Sequence, residues 1–117
     1  MTNRAPSGLG VPNPFQQLDI NFSASGDNIV VPSLTGAKVR VYRMKILASA
    51  ATNISIKSGA GTVLDGPLPF AANQGMILDF ITTEMPPWYE TGTGLAFIIN
   101  STAAVQVGGN LDYIQSP

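Results

Sequence analysis

The sequence predicts an all-β fold: an antiparallel β-sandwich of about eight strands, jelly-roll type, preceded by an extended N-terminal arm. Three observations predict it. Apolar and polar residues alternate with period two in several short runs, as in half-buried strands. Clusters of Gly, Pro, Asn and Ser separate these runs at short intervals, the spacing of turns in a sandwich or small barrel. No run reads as a stable helix, since the Ala-rich Leu47–Ala51 is far too short and lies between β-branched residues. A count of eight strands favours the jelly roll among such folds. With 117 residues the chain makes one domain.

Residues 1–14 are rich in Pro, Gly and Asn. Pro6, Pro12 and Pro14 lack backbone donors and bias their predecessors toward extended geometry. They predict an arm without regular structure, ordered only against a neighbour if at all. The domain then runs over 15–117. Phe15–Phe22 sets Leu18, Ile20 and Phe22 against Gln17, Asp19 and Asn21. After the turn Ser25–Asn28, Ile29–Val31 forms a short strand stopped by Pro32. Lys38–Ala50 is the longest strand signal. Val39 and Val41 share one parity, and Tyr42, Met44, Ile46 and Ala48 share the other. That switch predicts a β-bulge, or a strand passing between sheets, near Val41–Tyr42.

Thr52–Ser58 places Ile54 and Ile56 inward, and Gly59-Ala60-Gly61 turns it into Thr62–Leu64 as a hairpin. Gly75–Phe80 aligns Met76, Leu78 and Phe80. Pro86-Pro87 breaks the chain before Trp88-Tyr89. Gly94–Asn100 alternates through Leu95, Phe97 and Ile99, but Ala96 and Ile98 are apolar too. The strand is therefore expected to be covered on both faces, by its own core and by a partner. Ala104–Ile114 closes the domain, with a kink or bulge expected at Gly108-Gly109.

Composition argues against catalysis. The chain has no His and no Cys. The commonest general base, the commonest metal ligand and every Ser–His or Cys–His nucleophile are thereby missing. The carboxylates Asp19, Asp27, Asp65, Asp79, Glu84, Glu90 and Asp112 stand in no recognisable motif, and Asp27 and Asp65 sit in turns, where Asp bonds its own backbone. The glycines of Gly59–Gly66 lack both the dinucleotide-binding spacing and the Lys-Ser/Thr of a phosphate loop. The expectation is no enzyme, no cofactor and no metal.

Charged residues make up 11% of the chain and the net charge is −1, against about 25% charged residues in an ordinary soluble domain. Little like-charge repulsion keeps copies apart. Four of the six cations, Lys38, Arg40, Arg43 and Lys45, lie on one predicted strand, two on each parity. An edge strand guarded by charge, or an ion-pairing protein interface, explains them better than nucleic acid, which wants a basic total and exposed aromatics. No stretch approaches the roughly 18 apolar residues of a membrane helix. Met1–Pro14 reads as no secretory signal, so the three Asn-X-Ser/Thr sites at Asn21, Asn53 and Asn100 read as coincidence.

Other features carry a resemblance. They are Ala48–Lys57, Gly59, Leu64-Asp65-Gly66-Pro67, Ala71-Ala72-Asn73-Gln74-Gly75, Pro87-Trp88-Tyr89-Glu90-Thr91, Gly94-Leu95 and Val107-Gly108-Gly109. On these, the stretch from Met44 to Tyr113 resembles small jelly-roll virion proteins of tailed bacteriophages, of the capsid decoration or cement type. The resemblance rests on Ala/Gly/Thr spacing and the Trp-aromatic-Glu-Thr run, and residues 1–43 lie outside it. It implies a non-catalytic structural protein, made in the host cytoplasm, that binds the major capsid protein outside the head as a homotrimer. It implies neither nucleic-acid nor membrane partners. By residue type, Phe15, Trp88, Tyr89 and Ile98 are expected at subunit contacts, with Arg40 and Arg43 facing acidic coat groups. The alternative is a phage tail or fibre component, including a glycan-binding one with Trp88 as its sugar-stacking residue.

Overall fold

A computed structural model of the chain describes residues 15–79 and 86–117. The arm over residues 1–14, Phe80 and Glu84 lie outside the described residues. Among the described residues nine strands follow in order: β1 (Gln16–Phe22), β2 (Gly26–Val31), β3 (Lys38–Ala48), β4 (Thr52–Ser58), β5 (Thr62–Phe70), β6 (Gln74–Leu78), β7 (Tyr89–Glu90), β8 (Phe97–Ser101) and β9 (Val107–Ser116). They build two antiparallel sheets packed as a β-sandwich. One has the order β1-β9-β3-β6, with the short β7 also on β3. The other has the order β2-β8-β4-β5.

The inward rows meet in one core. Ile20, Val39, Val41, Met44, Ile46, Val107 and Leu111 from the first sheet face Val31, Ile54, Ile56, Phe97 and Ile99 from the second. Burying such a side chain stabilises the fold by about 1.5–3 kcal/mol, so the period-two rows select this register over a slip of one residue. Two buried hydroxyls close the rim of the core. Thr52 Oγ1 and Ser101 Oγ lie 2.8 Å apart. Ser101 Oγ donates to the Ala103 carbonyl at 2.8 Å, and Ala103 N–H donates back to Thr52 Oγ1 at 3.1 Å. Their polar groups are thus satisfied without water.

The parity switch in β3 is a bulge. Val41 opposes Tyr113 and Arg43 opposes Asp112, which leaves Tyr42 as the extra residue. Four expectations need correction. The cation-bearing β3 is a central strand between β9 and β6, not an edge. Gly108-Gly109 causes no bulge, since β9 keeps an unbroken register there against both β1 and β3. The hairpin partner of β4 does not stop at Leu64 but continues to Phe70, its register shifting on either side of Ile56. The strand expected from Gly94 starts only at Phe97, because Gly92–Leu95 forms a turn closed by a 3.2 Å backbone bond.

Candidate functional site

The bulge has an electrostatic consequence. Before Tyr42 the outward positions of β3 are Lys38 and Arg40; after it they are Arg43 and Lys45. One extra residue thus turns two parities into one face, and all four cations lie in a line outside the first sheet. Most are engaged within the chain. Arg40 Nε donates to Glu90 at 2.7 Å, and its Nη1 donates to Ser116 Oγ at 2.9 Å. Lys38 lies 4.0 Å from the same Glu90. Arg43 Nε lies 3.5 Å from Asp79, and its Nη1 donates to Asn110 Oδ1 at 3.4 Å. Each pair is partly exposed and contributes about 0–1 kcal/mol. Their role is therefore to fix β7 and β9 against β3 more than to stabilise the fold. Both arginines reach solvent with part of the guanidinium already bonded.

The two aromatics after Pro86-Pro87 separate. Tyr89 turns inward from β7, its ring 6.2 Å from Phe97. Its hydroxyl donates to Asp65 Oδ2 at 2.7 Å, which joins the two sheets. Burial, then the Asp65 carboxylate, hold that phenol well above its ordinary pKa. Trp88 turns outward and stays half exposed. Its Nε1 donates to the Asp79 carbonyl at 3.0 Å and its backbone N–H to the Val41 carbonyl at 2.8 Å, so the exposed indole is held in one orientation. Phe15 lies beside the bulge, its ring edge-on to Tyr42 at 5.5 Å. Phe15, Arg40, Arg43 and Trp88 therefore belong to one sheet. Tyr89 belongs to the core.

Ile98 belongs to the opposite sheet. It faces outward from the central β8, yet only 5% of it is exposed. Ile29 opposes it from β2 and Lys57 from β4. Cover on both faces of β8 thus comes from the chain itself. In the next outward row, Asp27 accepts from Asn100 Nδ2 at 2.7 Å and from Lys57 Nζ at 3.0 Å. These bonds, Asn100 first and Lys57 second, lower the Asp27 pKa below its ordinary 3.8. A lowered carboxylate stabilises the fold above its unfolded pKa, and that contribution is lost as pH falls through the folded value. Asp27→Asn is therefore expected to flatten the fall in melting temperature below about pH 4. Thermal melts across that range check this, and an unchanged pH profile would exclude the contribution.

A second surface escaped the sequence reading. Leu47 and Ile77 are outward and at least half exposed, and with Lys45, Gly75, Gly108 and others they line an open trough of about 700 Å³. The signal was present as apolar residues out of phase with Ile46 and Ala48 and with Met76 and Leu78. Among the described residues no group of three or more carboxylates is placed to hold a metal ion. Comparison with protein-family models, with curated proteins and with solved structures finds no match to this chain.

Proposed function

We propose that the chain is a structural virion protein, a capsid decoration (cement) protein that binds the outside of a phage head as a homotrimer and stabilises the shell. The observation that carries this reading is the strand order. β1 pairs with β9, β2 with β8 and β3 with β6, while β4 and β5 form the one hairpin within a sheet among the described residues. This interleaving supports a jelly roll, an architecture that capsid proteins share with lectins and cupins. A fold alone hosts many functions. What narrows the choice is the residue pattern from Met44 to Tyr113 that resembles phage virion proteins. The outer face with Arg40, Arg43 and the fixed Trp88 supplies charge-assisted and aromatic contacts for a coat subunit. A trimer would match the local threefold axes of an icosahedral shell and add three weak contacts into one firm attachment.

The test is the copy number of this protein in purified particles, relative to the major coat protein. A large fixed fraction is expected. A handful of copies would replace this reading with the tail or fibre alternative, which the half-exposed, immobilised indole of Trp88 favours as a stacking platform for a sugar. Absence from the particle would overturn both.

A further inference from the structure

The trough outside the first sheet has an ordered floor. One row of outward positions reads Asn21, Gly108, Leu47, Gly75 across β1, β9, β3 and β6. Side chain and glycine alternate along it. Gly75 has a reason within the chain, because a Cβ there would stand 2.7 Å from the Ile46 carbonyl oxygen. Among the described residues Gly108 has none: a Cβ there would meet only the Ile20 carbonyl at 3.9 Å, and its φ is not in the left-handed region. A glycine in a strand interior with open space above it marks a place where something from outside approaches closely.

We propose that this face docks against the same face of a second copy, through a two-fold axis running along the strands between β9 and β3. Rotation about that axis reverses the row. Leu47 of each copy then stands over Gly108 of the other, and Asn21 over Gly75, so every side chain meets a glycine. Such self-complementarity is what an isologous contact requires. The neighbouring row reads Asp19, Asn110, Lys45, Ile77. Under the same rotation Ile77 of each copy stands over Asp19 of the other and Lys45 over Asn110, so that Lys45 reaches Asp19 diagonally, one strand spacing of about 4.8 Å along the row. Asp19 and Lys45 are both exposed, and neither makes an ion pair with another described residue. The two-fold brings together opposite charges that the single chain leaves apart.

The contact stands independently of the virion reading. It is tested by the mass of the full chain in solution, measured by sedimentation equilibrium over a range of concentrations. The expected mass is an even multiple of the protomer: a dimer, or a hexamer in which two of the proposed trimers pair through this face. Gly108→Leu fills the hollow and is expected to halve it, with the circular dichroism of the fold unchanged. Lys45→Glu, which sets two acids against each other, is expected to weaken association at least about fivefold. The charge-swapped double variant Asp19→Lys/Lys45→Glu is expected to restore it. A chain that stays a monomer or a trimer at every concentration would overturn the proposal. So would an unchanged mass in Gly108→Leu, or a double variant no better than Lys45→Glu.

Discussion

Phe97→Ala is expected to cost the domain about 3–5 kcal/mol. Phe97 is fully buried at the start of β8, with Val31 opposite it on β2 and Ser58 on β4. Its ring also packs against Tyr89, the residue whose hydroxyl links the two sheets through Asp65. Truncation leaves a cavity between two central strands, whose backbones are held by ladders on both sides and collapse little. Single domains have only about 5–15 kcal/mol of stability, so about a fifth or more would be lost. Urea titration should show the midpoint falling by a corresponding fraction, and the melting temperature should drop by roughly 10–20 °C. Leu34→Ala, at a residue 54% exposed, serves as the control and should change stability by no more than about 0.5 kcal/mol. A loss below about 1 kcal/mol at Phe97 would mean that the core does not depend on it.

Gly109→Ala is expected to be as damaging, while Gly108→Ala one residue earlier is not. Gly109 has φ 153° and its Cα faces the β3 backbone, so that an added Cβ would collide with the Lys45 carbonyl oxygen. Either the ladder between β3 and β9 opens or the backbone leaves its conformation. Strain of about 1–3 kcal/mol and overpacking of about 1–3 kcal/mol give an expected loss of roughly 2–6 kcal/mol. At Gly108 no described residue crowds an added Cβ, and Ala should alter stability by less than about 1 kcal/mol. Denaturation of the two single variants side by side reads the difference directly. Equal stabilities would show that the close approach of β3 at Gly109 is not required.

Several features were legible because they depend on near neighbours in the chain. Ile54 and Ile56 face the core as their spacing predicts, and the change of parity at Tyr42 is a bulge, one of the two arrangements it predicts. The β4–β5 hairpin follows from Gly59-Ala60-Gly61, where Gly59 adopts φ 62°. Periodicity and turn chemistry act over a few residues, so a sequence displays them without any knowledge of the partner strand. The candidate site was less legible. Arg40 and Arg43 were picked out by type, but nothing local shows that Arg40 bonds Glu90 and Ser116, 50 and 76 positions away. Ile98 was picked out as an apolar residue at an outward position, and its covering by Ile29 and Lys57 depends on two other strands.

Strand class, the inward rows, the break in parity at Tyr42 and the lack of His and Cys can be read from the chain alone, because each is a property of residue type or of spacing within one strand. Which strands are central, that four cations share one face, that Gly108 and Gly75 flank Leu47, and that Trp88 faces solvent while Tyr89 packs against the core all depend on strand pairing. Antiparallel ladders within each sheet join segments that are distant in the chain, and side chains from different strands become neighbours only after those ladders form.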